Sequence, residues 1–384
     1  MSSKTIWIVY SSRKGGHLFP SLALYERIAG RRGYGVQIIN TLDISRFLSI
    51  LDGISRIADL KLKKIYRWSY RNLEAGNQTT QGLYRLFEAI LYRYGKVGEK
   101  LAWRFGRPDI ILSIQPEINV VAELFKNWFR VPFHTVIIDL SIHGLWINRR
   151  IDHYYVPNES LKTDLRKYGV SEARITATGV PLRAGFSQAV KKRVRTTRRA
   201  LGLSVDLCTV LLVGGLLGKM FDFKGVIESI LDTHLPIQIL AVFGKNDPAM
   251  AGVSELKNRC KYPMYIYGAV VEMHELIWAS DVVISKPGAI TMTEVMSLGK
   301  PMIVINPLGG SAQELRAARF LQESGAGLWI RNARELGATI KGLFKNKSKY
   351  EYMCRNAKAL GQHNLRADRA IFKNIKRVLD GCEN

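Results

Sequence analysis

Cysteine is scarce. The chain of 384 residues has four (Cys208, Cys260, Cys354 and Cys382), with no CxxC pair and no metal-ligand spacing among them. This excludes a disulfide-stapled scaffold and a zinc ribbon, and it fits core thiols in a reducing compartment. Long apolar runs are lacking as well. No stretch of about 18 apolar residues occurs, so no membrane-crossing helix is expected. The opening run at 5–10 is too short for the apolar core of a secretion signal, so no cleaved leader is expected either. Any membrane contact should then be peripheral, on a cytoplasmic face. Acidic residues are few: 32 Asp+Glu stand against 57 Lys+Arg, a formal net charge of +25. At 47% hydrophobic and 23% charged, the remaining balance is that of an ordinary globular chain, which excludes disorder, collagen or a simple coiled coil. The length suits two or three domains with large cores.

The positive excess is uneven. Residues 1–200 carry 34 basic and 15 acidic side chains, a net of +19, whereas 201–384 carry 23 and 17, a net of +6. A basic half calls for an anionic partner: nucleic acid, anionic lipid or a phosphorylated substrate. Segment 46–107 holds thirteen Lys/Arg, five acids and ten interleaved aromatics with no strand pattern. It reads as two or three amphipathic helices whose rings and basic rims suit a bilayer interface. The alternative is a packed aromatic core with solvated charges. Nucleic-acid binding lacks a base-stacking module or helix-turn-helix frame, so none is expected.

Elsewhere apolar strands alternate with helix-length segments, the grammar of parallel α/β sheets. The first half shows strands at 5–10, 36–40, 109–114, 133–140, 152–156 and 175–178, with a helix at 19–29 that opens on Pro20. The second half shows strands at 207–213, 237–243, 264–267, 281–285 and 301–306, each running into a Gly- or Pro-containing turn. Two doubly wound domains follow, with ligand loops at the carboxyl ends of the strands. Between them, 191–199 has six basic residues in nine and reads as a solvated linker marking the boundary. The expected division is 1–190, linker 191–200, 201–362, and a last helix within 363–384.

Three loops have residues suited to chemistry. In Lys14-Gly15-Gly16-His17, the glycine pair lets backbone approach a ligand, and His17 at the mouth can serve as a general base. In the loop from Ser285 through Pro287, Gly288, Ala289 and Ile290 to Thr291, a strand end and a helix N-terminus can bind a diphosphate. Glu294, one turn on, is placed to accept ribose hydroxyls. Gln313 and Glu314 follow the next strand, and an amide beside a carboxylate suits sugar hydroxyls. The bland reading of each is a capped helix with polar surface residues.

Taken in order, these motifs resemble the two-domain GT-B glycosyltransferases, an α/β fold of two Rossmann-like doubly wound domains facing a cleft. The resemblance is to the branch of monogalactosyldiacylglycerol synthases and bacterial diacylglycerol glucosyltransferases, related to the peptidoglycan GlcNAc transferase family. It spans about residues 5 to 330. It rests most on 136–186, with Ile138-Asp-Leu140, Ile142-His-Gly-Leu-Trp146 and Thr178-Gly-Val-Pro181, and on 267–328.

The resemblance implies an inverting transfer of a hexose from a UDP-sugar, with no metal and no cofactor. No Asp-x-Asp motif is present. Position by position, it makes His17 the base and Asp139 the residue that orients it. Gly214, Gly215 and 285–291 become the diphosphate cradle. Phe243, Gly244 and the backbone after Gly268 become the uracil pocket, Glu294 the ribose ligand, and Gln313 with Glu314 the sugar-hydroxyl pair. It makes the first domain the acceptor- and membrane-binding one, the second the nucleotide-sugar one, and returns the last helix to the first. The expected partners are a UDP-sugar, a lipid acceptor (diacylglycerol first) and an anionic membrane. Other readings keep the fold with a polyprenyl-linked acceptor, or make the chain a non-catalytic binder of UDP-sugars or anionic lipid. The chain departs from the pattern in a Gly-Gly-Ser-Ala-Gln-Glu loop about two residues longer than usual and in Ala317, where the family often has Asn.

Overall fold

The computed structural model describes residues 3–11, 15–43, 96–120, 122–215, 222–305 and 312–381. Within it the chain divides into two compact units, Met1–Arg183 with Arg366–Asn384, and Ala184–Leu365.

The first unit is a six-stranded parallel sheet of β1 (Lys4–Tyr10), β2 (Tyr34–Asn40), β3 (Ile110–Ser113), β4 (Phe133–Val136), β5 (His153–Val156) and β6 (Ile175–Ala177), in spatial order β2-β1-β3-β4-β5-β6. The second is a six-stranded parallel sheet of β7 (Cys208–Val213), β8 (Ile237–Val242), β9 (Met264–Tyr267), β10 (Val282–Ser285), β11 (Met302–Ile305) and β12 (Gly327–Ile330), in order β12-β11-β10-β7-β8-β9. Central strands such as Ile110–Ser113 and Val282–Ser285 are buried at every residue, which is why they read as unbroken apolar runs. Strand β12 lies outside the sequence expectation. It is a four-residue edge strand, too short to show a period and not followed by a Gly or Pro turn.

In each sheet the order reverses once, between β1 and β3 and between β7 and β10. Crevices of open α/β sheets lie outside the carboxyl ends of the strands at such switch points. The reversal therefore singles out the loops after β1, β3, β7 and β10.

Five strands (β3, β5, β7, β10 and β11) start one residue later than expected, and for three of them the reason is the same. Asp109, Asp152 and Asp281 precede β3, β5 and β10, and each carboxylate accepts an N–H from the first two residues of a neighbouring strand. The donors are Thr5 (2.8 Å), Phe133 (2.7 Å) and Thr209 (2.7 Å). Each also pairs with a cation, respectively Lys4, Lys126 and Arg198. Arg198 belongs to the basic run expected to be a solvated linker. That run lies inside the second unit, in the helix Val194–Ala200, and Arg198 is 6% exposed. Its guanidinium donates to the carbonyls of Ala279, Val205 and Leu207 and to Asp281 Oδ2 at 2.7 Å. A fully solvated reading fails at this position because the half-buried strand-end carboxylate of Asp281 and three backbone carbonyls draw the guanidinium inward.

Five helices matter below: α1 (Gly15–Ile28), α2 (Pro116–Val120), α3 (Ala289–Ser297), α4 (Ala312–Glu323) and α5 (Ala367–Leu379). α1 begins four residues before its expected start, so Pro20 lies inside it and the glycines with His17 form its first turn. The ring of Pro20 removes one helical N–H, while Ser21 Oγ donates to the His17 carbonyl at 2.8 Å. α5 belongs to the first unit. Asp368 pairs with Arg27 of α1 at 2.6 Å, Phe372 meets Tyr34 edge to face, and Asn374 Oδ1 accepts from Tyr155 at 2.6 Å. Of the aromatic-basic insertion, 46–95 lies outside the described residues. Its end forms the helix Lys96–Phe105.

Candidate active site

In the first unit the loops after β1 and β3 are tied together. Gln115, 6% exposed, accepts the Ser11 N–H at its Oε1 (2.7 Å) and donates from Nε2 to the Ser11 carbonyl (2.9 Å). Ile114 N–H donates to the Val9 carbonyl at 3.1 Å, continuing the β1–β3 ladder. The Ile114 carbonyl in turn lies 2.9 Å from His17 Nδ1. A carbonyl oxygen only accepts, so Nδ1 carries the proton. The neutral ring therefore holds its lone pair on Nε2, the arrangement a general base requires. The half-buried His17 is thus oriented by backbone.

The group that holds His17 Nδ1 is thus the Ile114 carbonyl, and the contacts of Asp139, the residue expected to orient the ring, run to the turn after β4. Asp139 Oδ2 accepts from Trp146 Nε1 at 3.0 Å and lies 3.6 Å from Nε2 of His143, which is 1% exposed. Asn119 of α2 holds this group from below, donating from Nδ2 to the Trp146 carbonyl at 2.9 Å. The cause is local: the turn after β4 folds back through a short 3-10 helix, Gly144–Trp146, which brings residues 143 and 146 onto 139. His143 and Trp146 lie in a motif that carries the family resemblance but had no role assigned to them, and Gln115 is new. A buried glutamine directly after a strand, and the Asp-x-x-x-His-x-x-Trp spacing, were the available signals.

In the second unit, Gly214 N–H donates to Val242 O (3.0 Å) and Gly215 follows at φ +74°, a conformation that favours glycine. Phe243 and Gly244 extend the β8–β9 ladder, donating to the carbonyls of Tyr267 (2.9 Å) and Gly268 (3.2 Å). A Cβ added to Gly268 would meet the Gly244 carbonyl at 3.6 Å, so the two turns run side by side. The Phe243 side chain cannot form a nucleobase pocket. It is fully buried and stacks on Phe223 with ring centroids 4.0 Å apart, leaving only its backbone for a ligand.

At the β7–β10 switch point, Ser285 Oγ donates to the Val213 carbonyl at 2.7 Å and is buried, so this hydroxyl joins the two loops. The Lys286-Pro287-Gly288 turn is closed by Gly288 N–H on the Lys286 carbonyl, 2.8 Å. Gly288 caps α3 without a side chain, so none of its own covers the first-turn N–H groups of Ala289, Ile290 and Thr291. These donors and the helix dipole suit an anion. Glu294 sits in the next turn, 8% exposed. Gln313 and Glu314 lie in the first turn of α4, and Glu314 Oε1 is 2.9 Å from Lys286 Nζ. Among the described residues no three His, Cys, Asp or Glu side chains gather where they could hold a metal ion.

Comparison with known proteins decides the family. A model for monogalactosyldiacylglycerol synthase matches residues 22–182, and one for the glycosyltransferase family 28 C-terminal domain matches 210–368. The chain is a GT-B glycosyltransferase. Its curated relatives include the processive diacylglycerol beta-glucosyltransferase of Bacillus pumilus, 28% identical across 100% of this chain and 97% of that protein. The enzyme of the same name from Bacillus subtilis is 26% identical across 97% and 95%. Solved structures agree on the fold. MurG from Acinetobacter baumannii aligns with TM-score 0.60 and 13% identity, covering 97% of this chain and 99% of that one. The UDP-GlcNAc 2-epimerase of Neisseria meningitidis aligns with TM-score 0.61 and 14% identity, covering 97% and 100%. This GT-B enzyme therefore matches glycosyltransferase models over both halves, and His17, Gly214, Gly215 and the 285–291 loop follow the strands at which the sheet order reverses.

Proposed function

We propose that this glycosyltransferase moves a hexose from a UDP-sugar onto a diacylglycerol-type lipid at an anionic membrane surface, with inversion at the anomeric carbon. The observation that carries the reading is the His17 Nδ1 to Ile114 carbonyl bond, which leaves Nε2 as the base at a switch-point loop. The names of the relatives support the acceptor, since they act on diacylglycerol and form a β-glucoside.

His17 Nε2 takes the proton of the acceptor hydroxyl as that oxygen attacks the anomeric carbon. The bond from that carbon to the β-phosphate oxygen breaks, UDP leaves with the electron pair, and the proton stays on His17. A single displacement inverts the configuration. The charge growing on the leaving diphosphate is met by the first-turn N–H groups of α3, so the step proceeds without a metal. Glu294 accepts the ribose hydroxyls, and Gln313 with Glu314 accept those of the sugar.

The membrane reading is supported by the basic first half and by the helix Lys96–Phe105. There Trp103 is 90% exposed beside the exposed Lys100 and Arg104. A basic residue near an anionic surface contributes roughly 1 kcal/mol, and an exposed indole sits well at headgroup depth. Among the described residues no helix is long and apolar enough to cross a membrane.

Co-sedimentation with anionic vesicles tests the surface. Trp103→Ser with Lys100→Glu should lower binding several-fold, and unchanged binding refutes this face. UDP release tests the chemistry: with vesicles containing diacylglycerol it should require both lipid and one particular UDP-sugar. Release only with a polyprenyl-linked acceptor would move the reading to that substrate. Vesicle binding with no release from any donor would favour a non-catalytic role.

A further inference from the structure

We propose that Lys286 is a donor-binding residue held ready by Glu314, and that the nucleotide-sugar diphosphate displaces the Glu314 carboxylate from the Lys286 ammonium. This rests on the UDP-sugar reading above and adds to it a role for the Lys286 side chain within the 285–291 loop and a sequence of events. Lys286 Nζ and Glu314 Oε1 are 2.9 Å apart although the residues are 28 positions apart. The pair joins the turn after β10 to the first turn of α4.

The Lys286 side chain lies over the cap of α3. A Cβ built on Gly288 would stand 3.6 Å from Lys286 Cε, one bond short of the ammonium. The one cation of the Ser285-Lys286-Pro287-Gly288 turn is therefore carried beside the N–H groups offered to a diphosphate. A glycine cap without a side chain leaves that approach open.

The charges explain why the carboxylate is there and why it can be replaced. Without donor, Glu314 neutralises an ammonium that would otherwise lie beside the positive end of a helix dipole. The side chains are 35% and 26% exposed, and pairs this exposed contribute little to stability. A diphosphate brings more negative charge than a carboxylate and several acceptor oxygens, so it competes well for the same ammonium. Glu314 is then released toward the sugar hydroxyls. Occupancy of the diphosphate subsite thus completes the sugar subsite.

Titration calorimetry with UDP and with uridine tests this on the full chain and on Lys286→Met, Glu314→Gln and Lys286→Arg. Lys286→Met should weaken UDP about tenfold or more while leaving uridine unchanged. Glu314→Gln should tighten UDP about twofold to fivefold, because the competing carboxylate is gone, and should still slow turnover. Lys286→Arg should keep most of the UDP affinity. Thermal melting separates misfolded variants from altered ones. Wild-type affinity for UDP in Lys286→Met overturns the proposal. So does a Glu314→Gln variant that weakens UDP as much as Lys286→Met, for that is the behaviour of a structural clip. Wild-type protein that binds neither uridine nor UDP refutes the nucleotide reading itself, which distinguishes the two failures.

Discussion

Replacing His17 should separate chemistry from donor binding. Nδ1 is committed to the Ile114 carbonyl at 2.9 Å, so Nε2 is the only ring nitrogen able to take a proton. General-base catalysis by a positioned side chain contributes about 10²- to 10⁴-fold. At about 1.4 kcal/mol per decade, that is roughly 3 to 5 kcal/mol of transition-state stabilisation. His17→Ala should therefore lower kcat about 100- to 10,000-fold. His17→Gln should fall as far, because an amide can keep the bond to Ile114 but has no basic nitrogen. Gln115→Leu removes both bonds to Ser11 while sparing the base, so its loss should be smaller, about tenfold. UDP affinity should stay at the wild-type value in all three, since the donor loops belong to the second unit. The assay pairs steady-state UDP release with UDP titration. Near-full activity in His17→Ala refutes the assignment of the base. A loss of UDP affinity matching the loss in rate refutes the division of labour.

Glu294→Gln should weaken UDP about tenfold or more without touching uracil binding, read by titration with UDP against uracil. Arg198→Met leaves the Asp281 carboxylate without its cation and should cost about 3 to 5 kcal/mol in urea unfolding. The neighbouring exposed Arg199→Met should stay within about 0.5 kcal/mol. Burial pushes His134 down to about 3 and His153 down to about 4 from an ordinary 6.5, so both are neutral in the folded sheet. Between pH 6.5 and about 4 the unfolded chain binds protons that the native one refuses. Stability is then full above that window and falls with acidification by about 1.4 kcal/mol per pH unit for each His. Urea midpoints at several pH values measure the slope, and His153→Gln should roughly halve it.

Strand positions were legible because parallel strands buried on both faces are apolar throughout, and Gly or Pro turns mark their ends. The boundaries at Asp109, Asp152 and Asp281 were not, since a carboxylate that caps a neighbouring strand looks in sequence like the first residue of its own. The loops carrying His17 and the Ser285–Gly288 turn were legible only as loops at the carboxyl ends of strands, and it is the observed strand order that puts both at switch points. What local pattern could not supply was pairing across the sheet. The partner of His17 is a backbone carbonyl 97 positions away, which no side-chain motif encodes. Asp139 turned to Trp146 and His143 because of a tight turn, and Phe243 turned inward because Phe223 stacks on it. Lys286 lay inside the candidate loop, but its pairing became visible only when α4 brought Glu314 to it. Arg198 was hidden in a charge run whose other basic members look alike in sequence.

The central claim is tested most directly by one measurement: UDP release by purified enzyme on anionic vesicles, with and without diacylglycerol, across a panel of UDP-sugars, followed by determination of the anomeric configuration of the glycolipid. The account expects release that depends on diacylglycerol and on one donor, a β-linked product from the α-linked UDP-sugar, and abolition by His17→Ala. Product that retains the donor's configuration, or undiminished release by His17→Ala, would contradict it.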